Sequence, residues 1–295
     1  MIAGASVRYG FVDAADEQEY LDALNVCFGG WGNRDAFDWC FARPGADHLP
    51  DVLSLCVDGR RVAGSGISYR RVSVPGHADT LAGIMTGSWT LPDARGAGAF
   101  SRLVEATLER IAVREGAMLL AFVTATNKSG NQLRRAGAMQ WPTFYCRGGT
   151  HGHTAAGDIV DLTDTAAAAD VFGRASAHTC FRYTPAEWTA QFVSRPGDVR
   201  VLAGEHWRAV VERTPAFDRV HALAAGDRAI ALRALGSRAQ AENRQLFTFT
   251  TNPFEADALR SLGFTVIDGY LMAIPLRADA LTDVVRWTLD NGDRM

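Results

Sequence analysis

Lysine is nearly missing from this chain: of its 295 residues only Lys128 is one, and arginine carries the rest of the positive charge. A nucleotide-phosphate loop of the Gly-x-x-x-x-Gly-Lys-Ser/Thr kind needs a lysine directly after its last glycine, and no glycine-rich stretch here has one. A basic excess is also absent. The formal net charge is −3, which argues against a nucleic-acid surface. The five cysteines (Cys27, Cys40, Cys56, Cys146 and Cys180) include no Cys-x-x-Cys pair and are odd in number, so free thiols in a reducing compartment are expected rather than a disulfide framework. His151 and His153 form a His-x-His pair with no third or fourth ligand nearby, and no metal site is expected. No apolar run reaches about 18 residues and no charged N-region precedes an apolar one. The expectation is a cytoplasmic protein without a membrane or nucleic-acid partner.

With 47% hydrophobic and 21% charged residues, the chain has globular composition and enough length for two domains of about 150 residues each. Its most informative stretch is Met85 to Ala138. A strand, Met85 to Leu91, runs into Pro92-Asp93-Ala94-Arg95-Gly96-Ala97-Gly98-Ala99-Phe100. Apolar residues then recur at Phe100, Leu103, Val104, Thr107, Leu108, Ile111 and Ala112, the spacing of a helix that buries one face. The glycines stand at the mouth of that helix, where the first backbone N–H groups have no intrahelical partner and the peptide dipoles leave roughly half a positive charge. Gly96 and Gly98 admit a bulky anion close to the backbone, and Arg95 adds a fixed cation. These features describe a phosphate or pyrophosphate cradle. An ordinary glycine turn between strand and helix is the plainer alternative. A dinucleotide-binding oxidoreductase is disfavoured because Ser101 stands where its third glycine belongs.

Arg95-Gly96-Ala97-Gly98-Ala99, after a long strand and before the longest helix, resembles the pyrophosphate loop of the GNAT acyl-CoA N-acyltransferase superfamily. Leu119 to Thr126 resembles its next strand, and Asn127 to Ala138 the short helix that follows. The resemblance implies acetyl-CoA or another acyl-CoA as co-substrate and a small-molecule amine as acceptor. Trp89, Thr90 and Leu91 would lie along the pantetheine, with a backbone N–H of that stretch polarising the thioester carbonyl. Arg95, Gly96, Ala97, Gly98, Ala99 and Phe100 would hold the pyrophosphate, and Asn127, Ser129 and Asn131 would contact the cofactor arm. Helix capping by Asn127 or Ser129 accounts for two of these equally well.

The chain departs from the family pattern in two places. Phe100 occupies a position that is usually Gly or Ala, a feature the tandem-domain branch tolerates; that branch includes aminoglycoside N-acetyltransferases and mycothiol synthase. The tyrosine that often protonates the leaving thiolate is replaced by Leu133, and by Leu259 in the second half. Tyr145, Cys146 and Ser129 are the substitutes within reach of the motif, with Tyr145 and Ser129 as catalytic candidates. His77, Asp79 and Glu105 are ionisable groups near the motif, and none is assigned as base.

The rest of the chain fits the same frame. Val7 to Val12 is expected as a strand, Asp13 as the N-cap of a helix through Cys27, and Arg34 to Phe41 as a second helix. Trp31, Phe37, Trp39 and Phe41 are either acceptor-pocket walls or ordinary core. Asp58-Gly59 predicts a hairpin between Val52–Val57 and Val62–Tyr69. In the second half, Asn252 follows Asn127 by 125 positions and Gly263 follows Gly137 by 126, a near-constant offset that suggests duplication. Its strand-to-helix turn, Ala225-Gly226-Asp227-Arg228, has one glycine and an aspartate that would repel a pyrophosphate. The expected fold is therefore α/β (α+β): two tandem GNAT-like domains, each a mixed, mostly antiparallel sheet flanked by helices. The first is expected over 1–147, a Gly- and His-rich linker over 148–157, and a degenerate copy without a cofactor loop over 158–295. The last residues, from Asp279, are expected to begin as a helix, packed on their own domain or folded back over the cleft. An acyl-CoA-binding protein without catalysis is the alternative function.

Overall fold

The computed structural model describes residues 4–73, 78–149, 159–162, 165–175, 180–277 and 287–294. The linker expectation falls almost wholly on residues outside this set, as do His77, the His151–His153 pair and the start of the expected C-terminal helix. By backbone contacts the chain divides into two compact units, one of residues 1–140 and 271–282 and one of 141–270 and 283–294. Both are discontinuous in sequence, whereas the boundaries expected from composition were contiguous.

The first unit begins with β1 (Ala5–Tyr9), α1 (Ala14–Phe28) and α2 (Arg34–Phe41). Asp13 caps α1 by accepting the Asp16 N–H, and Asn33 caps α2 through the Ala36 N–H. Then come β2 (Asp51–Val57), β3 (Arg60–Val72) and β4 (Thr80–Thr90). The β2–β3 turn sits at Asp58 (φ 50) and Gly59 (φ 80), the paired left-handed conformations that Asp-Gly suits. α3 (Ala99–Val113), β5 (Met118–Thr124) and α4 (Lys128–Arg135) complete the run. The sheet order is β1-β2-β3-β4-β5, antiparallel except where β4 and β5 run parallel.

The second unit takes β6 (Met139–Gly148) from Trp141 onward and continues with β7 (Val160–Leu162), α5 (Thr165–Ala175), β8 (Phe181–Arg182) and α6 (Pro185–Trp188). β9 (Asp198–Gly204), β10 (Trp207–Arg213), β11 (Phe217–Ala225), α7 (Arg228–Ala241), β12 (Gln245–Thr250), α8 (Pro253–Ser261) and β13 (Thr265–Pro275) follow. Its sheet runs β6-β12-β11-β10-β9-β7, with β11 and β12 parallel. β13 leaves this unit at Tyr270, and Leu271–Pro275 belongs to the first unit as the neighbour of β5. Within that unit the Leu276 N–H donates to Ala117 O at 2.7 Å, and Arg277 donates to the Thr80 hydroxyl at 2.8 Å. The fold is thus two units of the same strand–helix–strand–helix order, as expected, but each is completed by a strand from the other half of the sequence.

Cores form where the periodicity places them. In the first unit Tyr20, Leu24, Phe37, Phe41 and Trp89 pack together between α1, α2 and β4. In the second, the inner face of α7 (Ala231, Leu232, Leu235) closes on β10, β11 and β12. Among the described residues no helix is long and apolar enough to cross a membrane.

Candidate active site

β4 and β5 pair only over Ala82–Ile84 and Met118–Leu120. Beyond that they part, because β4 carries a bulge. Gly64 pairs with Trp89 and Gly66 with Thr86, so Gly87 and Ser88 both oppose Ser65. Gly87 has φ 57, and the Ser65 and Ser88 hydroxyls meet at 2.8 Å. A bulge leaves one residue out of the ladder and bends the strand. The result is a cleft of about 1120 Å³ within the first unit.

One end of the cleft is the mouth of α3. Every α1-, α2-, α4-, α7- and α8-type N-terminus here has a side-chain cap, but α3 begins at Gly98 with none and with no acidic residue in its first turn. Its leading N–H groups are therefore left for another acceptor. Gly96 (φ 83) and Gly98 (φ 89) are left-handed, and a Cβ at either would point into open space, so an anion can approach the backbone there. Arg95, Lys128 and Arg135 line the cleft, and Arg95 is held by its Nε donating to Thr90 O at 3.2 Å. Cation, dipole and glycine backbone converge on one place, which fits a pyrophosphate.

The sequence-predicted residues divide. Trp89, Thr90, Arg95, Gly96, Gly98, Ala99, Phe100, Asn127 and Ser129 line the cleft; Leu91, Ala97 and Asn131 do not. Of the Trp89–Leu91 stretch expected to polarise the carbonyl, the Leu91 N–H donates to Val62 O at 2.9 Å, and the break in the ladder lies upstream, at Gly87–Ser88. Asn127 acts as the cap of α4, its Oδ1 accepting from the Ser129 N–H (3.0 Å) and hydroxyl (2.8 Å). Asn131 is engaged by Arg134. Tyr145 belongs to the second unit; it is buried on β6, edge-on to Phe249 at 5.3 Å, and burial pushes its hydroxyl pKa up. Of the four aromatic wall candidates only Trp31 lines the cleft. Phe37 and Phe41 are core, and Trp39 lies under the Arg43 guanidinium at 3.8 Å.

Sequence reasoning missed Cys27, Phe28, Gly87, Ser88 and Gln132, all of which line the cleft. A lone glycine inside an apolar strand signals a bulge, so Gly87 was readable. Cys27 was not: its thiol donates to Thr90 O at 3.4 Å across 63 positions of sequence, and burial pushes its pKa up, keeping it protonated.

Comparison with known proteins agrees with this geometry. Residues 8–136, which lie within the first unit, match the family described as acetyltransferase (GNAT) domain. Among solved structures, a GCN5-related N-acetyltransferase from Sphaerobacter thermophilus aligns over 93% of this chain and 96% of its own at TM-score 0.60 and 17% identity. One from Anabaena variabilis aligns over 91% and 72% at TM-score 0.61 and 14% identity. A tandem GNAT protein from the clavulanic acid biosynthesis pathway aligns over 92% and 98% at TM-score 0.60 and 14% identity. At these identities the likeness is one of fold, and it covers both units. No curated protein sequence matches the chain.

Proposed function

We propose that the first unit transfers the acyl group of acyl-CoA, acetyl-CoA in the first instance, to the amine of a small metabolite such as an amino sugar. The observation that carries this reading is the uncapped mouth of α3, with two open left-handed glycines and Arg95 beside it. The pyrophosphate would sit there and the pantetheine would follow the gap between β4 and β5. The thioester would reach the Gly87–Ser88 bulge, where the ladder is interrupted, so that a backbone donor can meet the developing oxyanion. Holding thioester and amine together is the main contribution, through proximity. Trp31 and Phe28 offer aromatic surface in the cleft, against which the apolar face of a sugar ring packs. Ser129, hydrogen-bonded to Asn127, is the hydroxyl in the cleft for returning a proton to the leaving thiolate. The second unit is the duplicated copy without a cradle.

The alternative, acyl-CoA binding without catalysis, is favoured by one observation: the buried Leu133 lines the cleft where the family often has its acid. Release of free thiol from acetyl-CoA with a panel of amines and amino sugars separates the two. Amine-dependent release supports transfer, and tight binding with no release under any amine supports the alternative.

A further inference from the structure

The second unit repeats the device that opens the first. β11 and β12 pair in parallel only over Phe217–Arg219 and Gln245–Phe247. β11 also carries a bulge at the matching place: Val210 pairs with Ala222 and Val211 with Val220, which leaves His221 as the extra residue. The strands part after the bulge, as β4 and β5 do. Here the gap holds the chain's own C-terminal segment, whose turn at Asn291–Arg294 lies against β11 and β12.

The segment is fitted to this cleft atom by atom. Asp290 accepts the Leu223 N–H just past the bulge at 3.2 Å and pairs with Arg228 at 2.8 Å. Asn291 meets the bulge residue itself, its Nδ2 lying 3.1 Å from His221 Nδ1. Gly292 runs so close to the wall that a Cβ there would stand 2.3 Å from Phe192 and 2.9 Å from His221 O. Arg294 places its guanidinium over Tyr145 at 4.3 Å and Phe249 at 5.0 Å. The helix mouth is capped too: the Asp227 side chain takes the Ile230 N–H at 3.0 Å and Arg228 is bound to Glu255 and Asp290, which leaves beside the segment a cavity of about 440 Å³, against about 1120 Å³ in the first unit.

We propose that Trp287–Arg294 is a resident plug: it occupies in the second unit the strand cleft that acyl-CoA occupies in the first, closes it to acyl-CoA, and holds its two walls in place. The exclusion rests on the acyl-CoA reading of the first unit; the closing role does not. Without the segment the Leu223 N–H would lose its protein acceptor and the Phe192 and Phe249 walls would face water; the Asp290 carboxylate accepts there as a ligand's carbonyl would.

Hydrogen exchange on the full chain tests this, with and without acetyl-CoA, for wild type and for Gly292→Val and Asp290→Asn. In wild type, acetyl-CoA should slow exchange at the β4 end and the start of α3 and leave Ala222–Ala225 and the start of α7 unchanged. Gly292→Val should speed exchange at the ends of β11 and β12 by tenfold or more, and Asp290→Asn by less, with β4, α3 and β5 at wild-type rates. Protection of the β11–α7 junction by acetyl-CoA would overturn the exclusion. Wild-type exchange in both variants would overturn the closing role, as would global unfolding of the milder Asp290→Asn. If acetyl-CoA protects nothing anywhere, the acyl-CoA reading and the exclusion fall together, and the variants alone decide whether the segment holds the cleft closed.

Discussion

Single residues carry the proposed anion site and one pH response. Arg95 is exposed and solvent-screened, so Arg95→Ala should weaken acetyl-CoA binding by about threefold to tenfold, less than the roughly 1.5–3 kcal/mol of a shielded charge-assisted bond, and should flatten its salt dependence in calorimetry. His221 behaves differently. It is buried between Glu212 (2.8 Å) and Asn291, and burial, with Arg195 adding, pushes its pKa down to about 4. Asn291 Oδ1 accepts from Arg294 at 2.7 Å, so its amide NH₂ donates to His221 Nδ1 and the neutral ring donates from Nε2 to Glu212. An unfolded histidine takes up its proton near pH 6.5, while the folded one resists until about 4. The stability His221 contributes is complete above pH 6.5 and is lost as pH falls from 6.5 to 4, by about 3 kcal/mol at most. Denaturant melts across that window should show the loss, and His221→Gln should flatten it; an equally steep profile in the variant would assign the response to the carboxylates.

At the scale of elements, the caps separate the proposed ligand-binding helix from structural ones. α3 leaves its mouth bare, whereas Asn127 caps α4 and Asp227 caps α7. Asn127→Ala should therefore cost about 1 kcal/mol of stability with little change in acetyl-CoA affinity; a large loss of affinity without a loss of stability would make Asn127 a cofactor contact. The elements themselves were legible in the sequence. α2 spans Arg34–Phe41 as its pattern predicted, and β9 to α8 follow the expected order, because apolar period and turn residues are local signals. The cradle at Arg95–Ala99 was legible for the same reason. The cleft's other wall was not. Cys27, Phe28 and Trp31 reach it only through the packing of α1 on β4, and α5 and α6 are hard to read because the stretch around Ala167 is Ala-rich and the Thr184–Glu187 capping box opens a helix of only four residues.

For the whole molecule, the exchange of strands is what composition could not reveal. The Gly-rich stretch near Gly148 looks like a boundary, yet β6 pairs with β12 over Phe144–Gly148 and Thr250–Leu246, while Leu271–Pro275 completes the first unit's sheet beside β5. A segment of 1–147 lacks its last strand, and one of 158–295 lacks β6. Expressed alone, each should show little cooperative unfolding and expose a strand edge prone to self-association; expressed together they should recover a cooperative melt. Independent, cooperative folding of 1–147 would show that the exchanged strand is dispensable.

Whether the mouth of α3 is an acyl-CoA pyrophosphate site is decided by calorimetric titration of acetyl-CoA into wild type and Gly98→Glu. One acetyl-CoA should bind per wild-type chain, and the variant should bind at least about 100-fold more weakly, the worth of roughly 3 kcal/mol of charge-assisted contact, with circular dichroism unchanged. Equal binding by the two proteins, or wild type that takes up no CoA species, would contradict it.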